Sequence, residues 1–535
     1  MNELNTVVLD GNSLTIDDIV SIGKGGKTVA LDGKSLESCA LSRQYLLKKV
    51  EEANIIYGVN TSFGSMCNKI INNDSIELLQ ENLIRSHAAG LGEALPDAIA
   101  LAAVAVRLNS LIKGYSGVRV ELLEFMKELI NNGIAPYIPT RGSVGASGDL
   151  IHLSHLALMI IGEGQVFYRG SIMKASVALD KCNLKPFKLG LKEGIALING
   201  TSVMTAISAF AVYDAKQALA VECIAAAFSI EIFNSISDFL DVTLHRLKPH
   251  RGQIRIACIL RELVSGSGNV VNRADLHEII REESSPDKDC SVFETSIFIQ
   301  NVYSIRCTPQ VLAPVFEAIE TAENIVVLEA NSTNDNPIII PGENKILHGG
   351  NFHGQSIGFY MDSLAIAVST LSNIAERRLN TLLDSKLNGE LPEYLISGIR
   401  GLDMGFMGAQ YLATSTTAEN RQLANPVSTN TISCNSSNQD VVSMGTIAAR
   451  KVYTQVCNLK YILTLEILAD MQALSFKGHE KMGKGISEYY GKLAGHFHVY
   501  EGKTVFHDML VEFLDLIFDK DVFDHKEIYK IQGKL

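Results

Sequence analysis

The second half of the chain is dominated by long segments that are helical in pattern and apolar on nearly every face. The spacing of apolar residues predicts such helices over 201–233, 309–331, 356–383 and 440–473. A helix that is apolar all round has to be buried among other helices. We therefore predict a mainly α protein whose larger part is a bundle of long helices.

The first two hundred residues carry a mixed pattern. The first sixty residues favour short strands and turns, with strands at 6–9 and 28–31, and a hairpin is predicted at 164–170. Apolar residues at three- and four-residue spacings predict helices at 75–89 and 95–112.

The length of 535 residues exceeds the roughly 100–200 residues of a typical domain and predicts more than one. We predict a smaller mixed N-terminal domain over residues 1–200 and the helix bundle with further C-terminal helices over residues 201–535. Hydrophobic residues make up 47% of the chain and charged residues 20%. This composition excludes a disordered chain, which needs low hydrophobicity and high net charge.

The charge balance and the apolar runs limit the expected partners. Lysine and arginine number 47 against 59 aspartate and glutamate residues, which gives a net charge of −12. A nucleic-acid-binding protein carries a basic footprint, so nucleic acid is not an expected partner. The N-terminus lacks a basic segment followed by an apolar one, and the apolar runs break before the roughly 18 residues that a membrane span needs. We predict a cytoplasmic protein without membrane contact.

The cysteines are scattered and form no CxxC pair, which is untypical of a disulfide framework or a zinc site. They are predicted to be buried thiols in a reducing compartment: Cys39, Cys67, Cys182, Cys223, Cys258, Cys290, Cys307, Cys434 and Cys457.

A stretch dense in proline and glycine, residues 136–148, reads PYIPTRGSVGASG and cannot lie in a helix. Near its end, Ala146, Ser147 and Gly148 are three small residues in a row. If the Gly148 nitrogen closes on the Ala146 carbonyl carbon, loss of water gives a five-membered ring, and Gly148 has no Cβ to obstruct the approach. Loss of a second water from Ser147 adds an exocyclic methylidene. The product is an electrophilic alkene built from the backbone, although an isolated ASG is more often a flexible turn.

The residues around this tripeptide, GSVGASGDL at 142–150, resemble the motif of the aromatic amino acid ammonia-lyase family. Seven further blocks in the same order resemble that family: YGVNTSFG at 57–64, NLIRSHAAGLG at 82–92, LINGTSVM at 197–204, YSIRCTPQ at 303–310, NDNP at 334–337, GGNFHG at 349–354 and NQDVVSMG at 438–445. Ser62 stands where the family usually has glycine. The resemblance implies the helical fold of the histidine and phenylalanine ammonia-lyases. It also implies that Ala146-Ser147-Gly148 becomes the 4-methylideneimidazol-5-one (MIO) group, with no metal and no external cofactor.

The same resemblance implies roles for single residues. Tyr57 matches the tyrosine that takes the β-proton of the substrate, and Tyr303 matches a second active-site tyrosine near the prosthetic group or the leaving ammonia. Arg306 matches the arginine that binds the substrate carboxylate with its planar fork of donors.

Four further positions match residues that line the site in this family. Asn199 and Asn336 correspond to asparagines that hydrogen-bond the prosthetic ring and the carboxylate region. Phe352 corresponds to an aromatic residue packed beside the ring, and His87 to part of the pair that recognises the substrate ring. In the family, residues from different subunits complete one site, which implies a homotetramer.

Two positions bear on the substrate. The pairing of Ser86 with His87 resembles histidine lyases and also several bacterial tyrosine lyases and aminomutases. A phenyl ring would leave the His87 imidazole unpaired, which costs about 1–3 kcal/mol. Gln439 stands where histidine lyases usually carry a glutamate, and a neutral amide binds an imidazole more weakly than a carboxylate does. The sequence thus favours L-tyrosine as substrate, with trans-4-coumarate and ammonia as products.

Two alternatives within the family stay open. A tyrosine 2,3-aminomutase shares the fold, the prosthetic group and the tyrosine pocket, and returns the ammonia to the β-carbon. A histidine ammonia-lyase would give urocanate.

Two interpretations outside the family explain less. His152 and His155 form HLSH, and His348 and His353 form HGGNFH, but neither pair has the HExxH glutamate or the three to four convergent ligands of a zinc site. A non-enzymatic helical assembly protein would account for the apolar helices but not for the ASG loop or Tyr57.

Overall fold

The structure is a computed structural model and describes residues 5–283, 292–295 and 298–531. The helices up to the first long one are α1 Ile16–Gly23, α2 Gly33–Glu51, α3 Ile76–His87, α4 Asp97–Leu111, α5 Val120–Asn131, α6 Leu150–Ile160, α7 Ala175–Lys181, α8 Glu193–Ile198 and α9 Ser202–Ile232. The later helices are α10 Val242–Leu247, α11 Arg251–Leu263, α12 Arg273–Glu283, α13 Tyr303–Arg306, α14 Thr308–Ala330, α15 Gln355–Leu383, α16 Met407–Leu423, α17 Gly445–Lys477, α18 Lys484–Ala494, α19 Phe506–Leu514 and α20 His525–Lys530. The predicted mainly α fold with long helices is confirmed.

The strands are short and form small separate sheets: β1 Thr6–Leu9, β2 Thr28–Leu31, β3 Leu91–Ala94, β4 Ala135–Pro136, β5 Pro139–Arg141, β6 Gln165–Tyr168, β7 Ser171–Lys174, β8 Ile338–Ile340 and β9 Lys345–Leu347. β1 and β2 are parallel, with Thr6 opposite Thr28. The other pairs are antiparallel: β3 with β5, β6 between β4 and β7, and β8 with β9. The predicted hairpin is present as β6 and β7, and the β8–β9 hairpin was not predicted.

The prediction of strands and turns throughout the first sixty residues is wrong for α1 and α2. α1 begins with a capping box in which Thr15 and Asp18 satisfy each other's backbone N–H groups, a signal that the sequence does carry. α2 follows the N-cap Asp32, whose side chain accepts from the Ser35 amide at 2.9 Å. α2 buries few of its residues, so its apolar periodicity is weak.

The described chain forms two compact units. Unit 1 contains the residues up to Tyr213, with Thr321–Ser363 and Pro426–Tyr453. Unit 2 contains Asp214–Glu320, Leu364–Asn425 and the residues from Thr454 onward. The predicted domain boundary near residue 200 stays a prediction.

Helix α4 forms the centre of unit 1. Its residues from Ile99 to Leu111 are all buried, and α1 and α5 pack against it. The close packing of α1 on α4 requires a glycine at position 23 of α1, because a Cβ there would lie 2.4 Å from the Ala98 carbonyl oxygen of α4. The strand β5 and the helix α6, which flank the ASG loop, belong to the same unit.

Unit 2 contains a buried charge cluster in which one cation faces three carboxyl groups. The Arg378 guanidinium donates to Glu222 at 2.7 Å and to Glu466 at 2.5 Å, and all three side chains are fully buried. Asp470 is buried with them, and neither of its carboxyl oxygens has a hydrogen-bond partner among the described residues. Burial, together with the charges of Glu466 and Glu222, raises the pKa of Asp470 well above its usual value.

We expect the Asp470→Asn substitution to flatten the dependence of stability on pH. Because the folded protein holds the Asp470 proton and the unfolded chain releases it above pH ~4, the contribution of Asp470 to stability is greatest in acid and falls as the pH rises toward the folded-state pKa. One such group changes the free energy of unfolding by about 1.4 kcal/mol per pH unit in that window. Melting temperatures at pH 5 to 8 measure this, with the exposed Asp508→Asn as control. Equal slopes for the wild type and Asp470→Asn would contradict the expectation.

The cysteines are less uniformly buried than the sequence predicts. Eight of them lie in the described part of the chain, and none forms a disulfide there. Cys39, Cys223 and Cys258 are buried, but Cys67 is exposed, so the prediction of buried thiols is wrong for Cys67. Cys290 lies outside the described residues.

One helix in the described part of the chain, α15, is long and apolar enough to cross a membrane by length and composition alone. Within its most apolar window, 67% of the residues are buried in the protein, as expected for a core helix. The cytoplasmic location stays a prediction.

Candidate active site

The ASG loop of unit 1 is a tight turn between β5 and α6. Gly145 and Gly148 pair with each other as an isolated antiparallel bridge, so that Ala146 and Ser147 occupy the turn between them. Both glycines have a positive φ, +71° and +66°. Gly148 also pairs with Gly200, just before α9.

The space around Gly148 excludes any other residue. A Cβ on Gly148 would lie 1.9 Å from the Gly200 carbonyl oxygen, far inside van der Waals contact. Cyclisation needs an unhindered nitrogen at this position and a chain that bends back on itself, and the loop provides both. The residues present therefore fit the prosthetic group that the sequence predicts.

A buried carboxylate holds the C-terminal side of the loop. Asp149 accepts from the Met204 amide at 2.8 Å, from the Ser143 hydroxyl at 3.2 Å and from the Thr446 hydroxyl. Burial raises the pKa of Asp149 to about 6, against the opposing effect of these hydrogen bonds. Sequence reasoning missed Asp149, although its place directly after ASG at the N-cap of α6 was a visible signal.

The N-terminal side of the loop is held by the segment before α17. Ser443 donates to the Gly145 carbonyl at 3.0 Å, and the Met444 amide donates to the Val144 carbonyl at 2.9 Å. Gly354 lies against the same Ser443 hydroxyl, where a Cβ would come within 3.1 Å of it. The loop is thus fixed at both ends by residues distant in sequence.

Gln439 contacts the ASG tripeptide directly. Its Nε2 donates to the Ser147 Oγ at 3.0 Å, and its Oε1 lies 3.2 Å from the Cys434 Sγ. The backbones of Cys434 and Gln439 also pair with each other, at 3.1 and 3.3 Å. This contact joins two of the positions that the resemblance singled out.

Tyr57 lies in a turn and is half-buried. Its phenol oxygen accepts from the Gly64 amide at 3.0 Å, and its own amide donates to the His348 Nε2 at 3.3 Å. The Phe63 ring packs edge-on at 6.4 Å between ring centroids. Burial raises the pKa of Tyr57 above its usual value, while the hydrogen bond from Gly64 lowers it.

His87 is the last residue of α3, and its contacts fix its tautomer. The Nδ1 atom lies 2.9 Å from the Leu83 carbonyl oxygen and 3.1 Å from the Ser86 hydroxyl. Because a carbonyl oxygen only accepts, Nδ1 carries the proton, and the Nε2 of the neutral ring is left as an acceptor.

The remaining predicted residues of unit 1 lie near the chain segments that support the loop. Asn199 ends α8, one residue before Gly200, and its Nδ2 donates to the Asn336 carbonyl at 3.3 Å. The Asn336 Oδ1 in turn accepts from the Gly349 amide at 2.9 Å. Phe352 is half-buried in the turn that follows Gly349.

Tyr303 and Arg306 belong to unit 2 and form α13. The Arg306 guanidinium lies over the Tyr303 ring at 4.5 Å, and its Nε donates to the Asn301 carbonyl at 2.9 Å. Tyr303 is 71% exposed. These two residues are thus adjacent to each other, and their predicted roles stay predictions.

Two histidines of the HLSH and HGGNFH motifs form hydrogen bonds with backbone groups. His155 accepts from the Gly90 amide at 3.1 Å, and the His353 Nε2 lies 3.1 Å from the Val441 carbonyl oxygen. His152 is buried on α6, and burial lowers its pKa to about 3. Within residues 5–283, 292–295 and 298–531, no group of three or more histidine, cysteine, aspartate or glutamate side chains is placed to hold a metal ion.

Comparison with known proteins identifies the family. The model of the aromatic amino acid lyases matches residues 14–494. The histidine ammonia-lyase of Streptococcus pyogenes serotype M6 is 40% identical over 484 residues, which is 90% of this chain and 90% of that protein.

Solved structures agree with this assignment. The tyrosine aminomutase from Streptomyces globisporus superposes with a TM-score of 0.93 at 36% identity, covering 99% of each chain. The histidine ammonia-lyase from Trypanosoma cruzi superposes with a TM-score of 0.87 at 32% identity, covering 99% of this chain and 96% of that one. The protein belongs to the aromatic amino acid lyase family and is a carbon–nitrogen lyase.

Proposed function

We propose that the protein eliminates ammonia from L-tyrosine without oxidation and releases trans-4-coumarate. The observation that carries this proposal is the neutral amide of Gln439, at the position where histidine lyases usually carry a glutamate. In the chain before cyclisation, its Nε2 lies 3.0 Å from the Ser147 hydroxyl. The second support is His87, whose Nδ1 lies against the Leu83 carbonyl oxygen, so that its Nε2 is an acceptor that suits the phenol hydroxyl of tyrosine.

The Ala146-Ser147-Gly148 tripeptide forms the MIO group, which supplies an electrophile toward the substrate amine. In this chain, Ser443 and Met444 hold one side of the tripeptide. The buried Asp149 holds the other side through Thr446 and the Met204 amide. This support keeps the turn in one conformation during the reaction.

Tyr57 takes the β-proton of the substrate on its phenolate oxygen. The Gly64 amide donates to that oxygen and stabilises its negative charge. Because burial holds the pKa of Tyr57 above its usual value, the phenolate fraction is small at neutral pH and grows as the pH rises.

Binding of the substrate uses both of its ends. By the resemblance, Arg306 binds the substrate carboxylate through two parallel N–H donors. Asn199 and Asn336 are the asparagines proposed to hydrogen-bond the prosthetic ring and the carboxylate region. By the resemblance, Tyr303 acts near the prosthetic group or the leaving ammonia, and Phe352 is the aromatic residue proposed to pack beside the prosthetic ring. We infer a homotetramer in which residues from more than one copy complete each site. Light scattering of the purified protein measures the number of copies.

A histidine ammonia-lyase is the second candidate, and the 40% identity to the streptococcal histidine ammonia-lyase favours it. The tyrosine aminomutase from Streptomyces globisporus, with its TM-score of 0.93, favours a tyrosine substrate but leaves the fate of the ammonia open. The two candidates differ in the residue expected at position 439, where this chain has a neutral amide that contacts Ser147.

Rates of product formation from each amino acid test the proposal. The purified protein is expected to form 4-coumarate from L-tyrosine with a higher kcat/KM than it forms urocanate from L-histidine or cinnamate from L-phenylalanine. Chromatography of the tyrosine reaction is expected to show little β-tyrosine. Faster urocanate formation would show that histidine, and not tyrosine, is the preferred substrate. β-Tyrosine as the main product would show that the protein is an aminomutase.

The Gln439→Glu substitution is expected to shift the preference toward histidine. A carboxylate pairs with an imidazole through a charge-assisted hydrogen bond, and about 1.4 kcal/mol of such discrimination is a tenfold change. We expect the ratio of kcat/KM for histidine to that for tyrosine to rise about tenfold. The exposed Gln422→Glu makes the same chemical change on α16 and serves as control. An unchanged ratio in Gln439→Glu would refute the assignment of Gln439 to specificity.

A further inference from the structure

A strained turn in unit 1, residues 434–439, links two elements of the candidate site. Three consecutive residues in this turn, Asn435, Ser436 and Ser437, have positive φ angles of 52°, 53° and 62°. Residues other than glycine rarely adopt this conformation, and each such residue strains the backbone. Strain of this kind is retained where the surrounding contacts require it.

One end of the 434–439 turn contacts the segment that follows Tyr57. The Asn435 Oδ1 accepts from the Ser65 hydroxyl at 3.2 Å and lies 3.5 Å from the Ser65 amide. The Asn435 Nδ2 lies so close to Gly64 that a Cβ on this glycine would come within 2.1 Å of it. The amide side chain of Asn435 therefore packs directly on the backbone of Gly64 and Ser65.

Gly64 is also the residue that contacts the Tyr57 phenol. Its amide donates to the phenol oxygen at 3.0 Å, and it holds a φ of +55°. A shift of Gly64 by a few tenths of an ångström lengthens this hydrogen bond, and the Asn435 side chain is the group that blocks such a shift on one side.

The other end of the 434–439 turn contacts the ASG tripeptide. Gln439 donates to the Ser147 hydroxyl at 3.0 Å, and its backbone pairs with Cys434 at the start of the turn. One short turn thus touches the tripeptide at one end and the support of Tyr57 at the other.

We propose that Asn435 is a positioning residue for Tyr57, which acts by holding the Gly64 amide against the phenol oxygen. This inference rests on the proposed function of Tyr57 as the base. In the wild type, the Gly64 amide stays aligned with the Tyr57 phenolate and stabilises it. Without this side chain the donor moves away, and the phenolate forms only at higher pH.

Few other charges act on Tyr57. Within the described residues, the titratable groups beside it are Cys67, whose charge raises the pKa of Tyr57, and His348, which accepts from the Tyr57 amide. Burial also opposes the phenolate, so the Gly64 donor is the contact that favours it.

The Asn435→Ala substitution tests the proposal through the pH dependence of turnover. The acidic limb of the profile of kcat is expected to move about one pH unit upward, so that turnover below the limb falls about tenfold and recovers in alkali. KM is expected to change less than twofold. Ser436→Ala, an exposed position in the same turn, is expected to keep the wild-type profile.

A second measurement needs no turnover. The tyrosinate absorbance is titrated for the wild type and for Asn435→Ala, each against its Tyr57→Phe counterpart, and the difference isolates the Tyr57 phenol. We expect its titration to move upward in Asn435→Ala. A raised KM with an unmoved limb, a loss of turnover at every pH, or an unmoved titration would each overturn the proposal. Because this titration uses no substrate, it tests the effect of Asn435 on Tyr57 even if tyrosine proves not to be the substrate.

Discussion

Turnover is expected to fall by three orders of magnitude or more when Ser147 is replaced by alanine, since loss of an essential reacting group has effects of that size or larger. Alanine has no hydroxyl to lose as water, so the methylidene carbon cannot form. The fold should be kept, because Ser147 is half-buried and its described contact is the single hydrogen bond from Gln439. Steady-state rates with tyrosine and histidine measure the loss.

The Ser147→Ala variant has a spectroscopic readout beside the kinetic one. The wild type is expected to absorb in the near ultraviolet beyond its tyrosines, and the background is low because the chain has no tryptophan. Ser147→Ala should lose that absorbance. The exposed Ser171→Ala, which makes the same change in the β6–β7 hairpin, should retain both absorbance and turnover. Wild-type turnover in Ser147→Ala would be incompatible with a role for this residue in the reaction.

The Tyr57→Phe substitution is expected to lower kcat by about 10²–10⁴-fold, the range that a positioned proton acceptor contributes. The ring and its edge contact with Phe63 remain, so only the phenol oxygen is lost. The near-ultraviolet absorbance should be unchanged, because the ASG tripeptide is held by other residues. Comparing kcat and absorbance in one preparation separates loss of the base from loss of the prosthetic group.

The change of turnover with pH is a further test of Tyr57 as the base. Burial raises the pKa of Tyr57, so the active phenolate increases with pH, and wild-type turnover is expected to climb from neutral into alkaline solution. The residual rate of Tyr57→Phe should lack this rise. Tyr115→Phe is a matched control, since Tyr115 is 39% exposed and contacts Ile339 through its backbone carbonyl. A rise that persists in Tyr57→Phe would assign the base to another group.

The long helices were predictable because burial on all faces leaves an unmistakable apolar pattern. Segments predicted at 201–233, 309–331 and 356–383 appear as α9, α14 and α15 with ends within one residue. The segment predicted from residue 440 begins as a helix only at Gly445. Met444 has a φ of +54° and its amide bonds the ASG loop, so tertiary contact overrides the helical pattern there.

The residue types alone pointed to chemistry only at the ASG tripeptide, whose three small residues can cyclise. Tyr57 was singled out by the resemblance of its motif to the family, and its role stays a prediction. Asp149 and Asn435 were not found, since their importance lies in partners hundreds of positions away, such as Thr446 and Gly64. A single sequence does not record such pairings.

The mass of the loop peptide shows whether Ala146-Ser147-Gly148 has cyclised and lost water. Trypsin cleaves after Arg141 and Arg169, which releases residues 142–169 with the ASG tripeptide inside. We expect this peptide to be lighter than its sequence by the mass of two water molecules. A peptide at its full sequence mass, from protein that is folded and turns over its amino acid, would show that the reaction proceeds without the MIO group.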